Sequence, residues 1–342
     1  MTGEAPVFTP VTLITGFLGS GKTTLLQRLL ADPALADTAV LINEFGAVGL
    51  DHHLLERIDE RTVLLQSGCL CCTVRGELAD SMRELHSKRT RGAVPMFRRV
   101  VIESTGLADP FPVLTTLHAD PVLKHHFRMA GVVTTVDAVN GARQLAMHPE
   151  SVKQVAVADR IVLTKTDLAA APTVASVVRR VRAINPDCVV LDAHASGGAD
   201  AALLSDDATV AFGRRDPTIQ AWLAEEMQAA ATGASRHAYD IHAFALVFDQ
   251  PLEWTAFGIW LTMLLNRHGN EVLRVKGILD VAGADAPVAV HGVQHLVHPP
   301  VHMRAWPDGE RRSRIVFIVK GLERGAIERS LAAFVGLRVA AA

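Results

Sequence analysis

The chain carries two kinds of apolar pattern. Over roughly its first half, short β-branched runs at residues 11–15, 39–42, 63–65, 100–102, 132–136, 161–163 and 189–191 are separated by amphipathic stretches with helical spacing, among them 24–30 and 74–88. The runs are continuously apolar rather than alternating, so both faces of each strand should be buried. This predicts an α/β domain with a mostly parallel sheet and helices on each side. Between residues 194 and 234 Ala, Gly, Asp and Ser dominate, with one short helical pattern over 219–228, and the stretch reads as a connecting segment. Beyond it the pattern predicts strands over 241–248, 272–281, 288–297 and 315–319 and helices over 252–267 and 326–334. That order suggests a smaller α+β domain. The expected division is therefore 1–195, 196–236 and 237–342.

Composition narrows the partners. The 342 residues are 49% hydrophobic and 20% charged, which suits two packed domains rather than a disordered chain. Lys and Arg number 34 against 36 Asp and Glu, so no net field draws the protein onto nucleic acid or an anionic membrane. Residues 1–10 lack a basic segment followed by an apolar one, and no apolar stretch reaches the roughly 20 residues needed to cross a bilayer. The expectation is a cytoplasmic protein that binds neither membrane nor nucleic acid.

Gly16, Gly19, Ser20, Gly21, Lys22 and Thr23 fall in a G-x-x-x-x-G-K-[ST] loop, with an apolar strand before it and a helical run beginning at Thr24 after it. Glycines let backbone N–H groups curl around a phosphate, the helix start adds its dipole, Lys22 neutralises the β- and γ-phosphates, and the Thr23 hydroxyl can hold Mg²⁺. A second apolar strand ends at Glu103, followed by Ser, Thr and Gly106; the acid suits Mg²⁺ or its water, and Gly106 falls near the γ-phosphate. A third ends in Thr164, Lys165, Thr166 and Asp167. A carboxylate at Asp167 can accept hydrogen bonds from guanine N1 and N2, a pairing adenine cannot offer, while the Lys165 stem covers the base. The expected nucleotide is GTP, with GDP as product. Thr164 stands where such motifs usually carry Asn.

Four cysteines are too few for a disulfide scaffold, but Cys69, Cys71 and Cys72 lie within four positions, between an apolar strand and a helical stretch. Thiolates are soft ligands that suit Zn²⁺, Cu⁺ or an iron–sulfur centre, and a helix start just downstream lowers thiol pKa. Incomplete coordination, with one ligand position left open, suits a carrier that must release its ion. A redox dithiol and ordinary buried cysteines are the competing readings. Cys188 stands apart, in an apolar run.

Together the phosphate loop, Asn43-Glu44-Phe45-Gly46, the Cys-Leu-Cys-Cys cluster, Glu103-Ser-Thr-Gly106 and Thr164-Lys-Thr-Asp167 resemble the CobW family of metallochaperone GTPases. The resemblance runs over nearly the whole chain: Leu273-Arg-Val-Lys-Gly277, Gly292-Val-Gln-His295 and Trp306 resemble that family's C-terminal domain. It implies that the segment with Asn43, Glu44 and Gly46 is a nucleotide-responsive switch, that Glu44 is a further metal ligand or switch acid and Asp51 a second switch acid, and that GTP controls transfer to a client metalloprotein. Co²⁺ and Fe²⁺ compete with Zn²⁺ within the family.

No arginine finger or water-positioning Gln can be identified, so hydrolysis should be slow alone, and a client or a second copy of the chain is expected to supply the missing group. Of the 15 histidines, His291, His295, His298 and His302 fall in one segment, but their spacing and the Pro299-Pro300 break favour surface or structural roles over one metal site. The family's long His-rich linker is missing, although His194 and His237 flank the connecting segment. A metal buffer with structural nucleotide and a small-molecule kinase are the rival functions.

Overall fold

A computed structural model describes residues 8–43, 63–67, 74–194, 203–204, 241–307 and 310–336. Glu44, Gly46, Asp51, Cys69, Cys71, Cys72 and His237 lie outside the described residues, as do the connecting segment apart from Leu203 and Leu204 and the helical pattern over 219–228. Contacts divide the chain into two compact units, Met1–Val178 with Val189–Ala208, and Arg179–Cys188 with Thr209–Ala342.

The first unit is built on seven strands: β1 (Thr9–Gly16), β2 (Thr38–Asn43), β3 (Val63–Ser67), β4 (Arg99–Glu103), β5 (Phe127–Asp137), β6 (Arg160–Thr164) and β7 (Val189–Asp192). They form one sheet in the order β3-β2-β4-β1-β5-β6-β7, and every neighbouring pair is parallel. The continuous apolar runs produce this result. Val11, Leu13, Ile14, Val100, Val101 and Ile102 are all buried, as strands covered on both faces must be. Between strands run α1 (Lys22–Leu30), α2 (Val74–Thr90), α3 (Phe111–Ala119), α4 (Leu123–His126), α5 (Gly141–Met147), α6 (Pro149–Val157) and α7 (Ala171–Ile184), of which Arg179–Ile184 is counted with the second unit. On α1, Leu25, Leu26, Leu29 and Leu30 form the buried stripe, packing with Ile14, Val40, Val101, Val133 and Val162, together with Leu203 and Leu204. Because all strands run the same way, β1, β4 and β6 deliver their C-terminal residues to one edge of the sheet, where ligands bind in such folds.

The second unit holds an antiparallel sheet in the order β11-β10-β9-β13-β8, with β12 on β10; the strands are β8 (Ile241–Phe248), β9 (Val272–Leu279), β10 (Val288–Val293), β11 (Leu296–Val297), β12 (Val301–His302) and β13 (Ser313–Lys320). Helices α8 (Trp254–His268) and α9 (Arg324–Val335) accompany it. Phe257, Trp260, Leu261 and Leu265 of α8 share a core with Phe244, Val275, Val290 and Phe317. Phe244 stacks on Phe317 at 5.4 Å, and the Trp260 indole N–H donates to Ser330 Oγ at 3.0 Å. Glu253 caps α8, its carboxylate accepting from the N–H groups of Thr255 and Ala256; these bonds hold its pKa below the ordinary glutamate value.

The single strand expected over 288–297 is two. β10 and β11 pair antiparallel, Gly292 with Val297 and Val293 with Leu296, around a turn in which Gln294 takes a left-handed φ of 51°. Gln294 and His295 form the two-residue loop, and neither is a residue that usually marks such a turn. His295 packs against Gly269 and its Nδ1 lies 2.9 Å from the Leu265 carbonyl, His291 stacks on His298 at 4.6 Å, and His302 is exposed. Among the described residues no three His, Cys, Asp or Glu side chains gather as a metal site. Cys188 is a core side chain: burial pushes its thiol up to about 12, and Sγ donates to the Asn185 carbonyl. Among the described residues no helix is long and apolar enough to cross a membrane.

Candidate nucleotide-binding site

The loop from Gly16 to Lys22 leaves β1 through backbone angles that side chains disfavour. Gly16, Gly19 and Gly21 have φ of 142°, 69° and 87°. A Cβ at Gly16 would sit 2.3 Å from Thr135 Oγ1, and one at Gly106 would sit 2.6 Å from the backbone N of Leu18. The segment after β4 is therefore pressed directly on the phosphate loop.

Polar side chains tie the loop to the sheet. Ser20 Oγ meets Thr135 Oγ1 at 2.6 Å, Ser104 Oγ donates to Thr15 Oγ1 at 2.8 Å, and Thr164 Oγ1 donates to the Ser20 carbonyl at 2.7 Å. Lys22 is buried and donates to the carbonyls of Gly16 and Phe17 at 3.0 and 3.1 Å, so its ammonium lies along the inside of the loop. Thr23 Oγ1 donates to Glu103 Oε1 at 2.8 Å, and Thr24 is exposed beside it. The structure thus brings the Gly16–Thr24 loop, Glu103 and Gly106 together. It turns Thr164, which stands where Asn is usual, towards the phosphate loop.

Asp167 lies on a short 3-10 turn, Thr166–Leu168, entered through Lys165, whose φ of 57° is left-handed. Lys165 Nζ donates to Asp137 Oδ2 at 2.7 Å, while Asp167 is half-exposed and pairs through Oδ1 with His194 Nε2 at 3.0 Å. Asp192 braces the segments that follow β6 and β7: its Oδ1 accepts from Thr166 Oγ1 at 2.7 Å and from the His194 N–H at 2.8 Å.

Two contributors escaped the sequence. Asp137 closes β5 as Glu103 closes β4, an acid at the end of an apolar strand, and that signal was present in the chain. Burial raises its pKa, but hydrogen bonds from Lys165, from Asn140 by backbone and side chain, and from the Val139 N–H outweigh burial and hold it below the ordinary aspartate value. The other is Gln154, fully buried on α6 among Val152, Val155 and Ala156; a polar residue on an apolar helical face gave only a faint signal.

Thr23 and Glu103 offer a hydroxyl and a carboxylate, the hard oxygen donors that suit Mg²⁺. Lys22 and the loop amides suit phosphate, and the Asp167 carboxylate suits the donor edge of guanine.

Comparison with known proteins identifies the family of both units. Residues 10–192 match the family described as CobW/HypB/UreG, nucleotide-binding domain, and residues 241–335 match the Cobalamin synthesis protein cobW C-terminal domain. The chain is 33% identical over 334 residues to Zinc chaperone YjiA of Escherichia coli, covering 96% of this chain and 98% of that one. It is 29% identical over 303 residues to Zinc-regulated GTPase metalloprotein activator 1 of Schizosaccharomyces pombe, covering 79% and 72%. The crystal structure of Zn(II)-bound YjiA GTPase from E. coli superposes with a TM-score of 0.69 at 29% identity, covering 97% of this chain and 99% of that one.

Proposed function

Because the chain belongs to the CobW/HypB/UreG family, we propose that it is a GTPase that carries Zn²⁺ on Cys69, Cys71 and Cys72, with Glu44 as a further ligand, and passes the ion to a client metalloprotein. GTP binds with its phosphates on Gly16, Gly19, Ser20, Gly21, Lys22, Thr23 and Thr24, its terminal phosphate near Gly106, and its base against Lys165 and Asp167. Thr164 acts from behind, through the Ser20 carbonyl. Thr23 and Glu103 would hold Mg²⁺, which would neutralise charge developing between the β- and γ-phosphates. Lys22 and Thr23 orient the triphosphate.

The observation that carries the coupling is a strand register. Asn43, the last residue of β2, pairs with Ser67, the last of β3, and Ile42 pairs with Glu103. In sequence Glu44 follows Asn43, and Gly68 and Cys69 follow Ser67. The switch segment and the cysteine segment therefore start from adjacent parallel strands, about 4.8 Å apart, beside the acid that grips Thr23. A terminal phosphate that orders the segment at Glu44 would act on a chain that leaves the strand next to the one preceding the cysteines in sequence. Val74 opens α2 two residues beyond Cys72, and a helix start favours thiolate over thiol.

Zinc is preferred to Co²⁺ and Fe²⁺ because thiolates suit it and because relatives carry the name zinc chaperone. Residues 1–195 form the GTPase domain and 237–342 the domain that recognises the client, joined by 196–236; the site of action is the cytoplasm. Turnover is slow until a client, or a second copy of the chain, completes the site.

Zinc titrations with GTP, with GDP and without nucleotide test the reading. The expected result is a Kd that changes at least about tenfold between the nucleotide states, a coupling of about 1.4 kcal/mol. Lys22→Ala should lose nucleotide, and Cys71→Ala with Cys72→Ala should lose zinc while keeping nucleotide. Identical zinc affinity in all three states would leave a metal buffer in its place.

A further inference from the structure

The helix α6 has no part in the phosphate loop, in Mg²⁺ or in the base, yet it grips the segment that follows Glu103 at two residues. Gln154 is fully buried, and its Nε2 donates to the carbonyls of both Gly106 and Ala108 at 3.2 Å. Lys153 Nζ donates to Asp109 Oδ2 at 2.8 Å. At the helix start His148 lies against Phe17 of the phosphate loop, ring centroids 4.5 Å apart.

Two carbonyls facing one amide group fix its orientation, since only the NH₂ end can donate to both. The opposite end, Gln154 Oε1, is buried with no hydrogen-bond partner among the described residues, and so is Thr105 Oγ1. A side chain kept only to fill the core would be apolar here. The amide is used for its two donors, and both hold backbone of the segment that lies on Leu18.

We propose that Gln154 is a positioning residue for GTP sensing: it pins the carbonyls of Gly106 and Ala108 so that the Gly106 N–H is presented to the terminal phosphate. This rests on the reading that Gly106 meets that phosphate. GDP, which lacks the group, does not depend on Gln154. Holding the carbonyls on the C-terminal side of Gly106 fixes its Cα in place, which limits where the N–H on the other side can point.

The test uses the full chain and the near-isosteric Gln154→Leu. Affinity is measured for GDP and for a non-hydrolysable GTP analogue, and hydrogen exchange is followed in the peptide covering 104–110. In the natural protein the analogue should slow exchange there relative to GDP. In the variant that slowing should vanish, with analogue affinity down about tenfold and GDP affinity within about twofold of the natural value. An equal fall for both nucleotides assigns Gln154 a structural role and overturns the proposal. Persistence of the slowing and of the affinity ratio overturns it too, leaving the Gly106 reading intact, whereas no nucleotide-dependent exchange in the natural protein removes that reading as well. Should the variant fail to bind GDP at all, Gln154→Glu decides: a carboxylate facing two carbonyls should lose analogue binding at about pH 8 and regain part of it at about pH 5, where a protonated acid can donate one bond. A flat profile in Gln154→Glu overturns the proposal.

Discussion

The two ends of the proposed nucleotide site are held by different means. At the phosphate end Ser20, Lys22 and Glu103 are buried, and Ser20, Thr135, Thr15, Ser104 and Thr164 link loop to sheet through short bonds in the interior. At the base end the side chains of Asp167 and His194 are 54% and 53% exposed, and Asp192 ties two loops together in solvent. Phosphate is read by backbone N–H groups whose directions must be set in advance, so the protein invests in burial there. A base edge is read by one carboxylate that has to stay reachable, and hydrogen bonds in water fix it only loosely. Asp137 backs the base end from the interior: buried itself, it steadies the half-buried Lys165 two residues before Asp167.

If the contrast is right, substitutions should lose effect from the buried end to the exposed one. Gly106→Ala comes first. Its Cβ would lie 2.6 Å from the backbone N of Leu18, where no flexible side chain can yield, so the loop or the segment after β4 has to move. Overpacking of about 3 kcal/mol corresponds to about a 100-fold loss of GTP affinity, measurable by fluorescent-nucleotide titration. A loss below fivefold would mean the loop is not preset.

Asp167→Asn should follow. The amide keeps one acceptor and loses the other, a hydrogen bond to a charged group of about 1.5 to 2 kcal/mol, which predicts roughly a 20-fold loss for GTP. An amide can donate to the C2 carbonyl of xanthine, so XTP should bind the variant better than GTP does. Competition between the two nucleotides measures this directly, and unchanged preference would remove Asp167 from the base.

Asp137→Asn acts on stability. Its pKa is held below the ordinary aspartate value, so its contribution is complete above pH 4 or so and fades as pH falls through the lower native value. The substitution should cost about 2 kcal/mol at neutral pH, read from urea unfolding, and should flatten the acid limb of the natural protein's stability profile. An acid limb of unchanged steepness would show that other carboxylates dominate it.

How far these features were readable in the chain depended on whether the signal was local. The glycines of the phosphate loop, Lys22, Thr23 and Glu103 announce themselves because backbone geometry and charge there are set by neighbours in sequence. So does the parallel sheet, since burial on both faces erases alternation in each strand. The turn at Gln294 was invisible, because a left-handed φ at a non-glycine residue leaves no compositional mark between two apolar runs. Gln154 gave only a faint mark for another reason: its partners are 46 and 48 positions away, and only the fold makes an amide at that helical position useful. Asp137 shows that a rule can be present and go unapplied, since it closes its strand as Glu103 closes another. Thr164 was readable as a departure from Asn, but its bond to the Ser20 carbonyl needed coordinates.

The smallest effect belongs to His194→Ala. The pair with Asp167 is about half-exposed on both sides, and such pairs contribute roughly 0 to 1 kcal/mol because water competes and salt screens them. On the proposed reading guanine would use both Asp167 oxygens, and His194 takes one of them, so the imidazole would compete with the base as well as hold the carboxylate in place. The two effects oppose each other. GTP affinity should therefore change less than about threefold, and the difference between variant and natural protein should shrink as ionic strength rises. A tenfold loss that persists in high salt would instead make His194 a contact of the nucleotide itself, and the base end would then be as firmly built as the phosphate end.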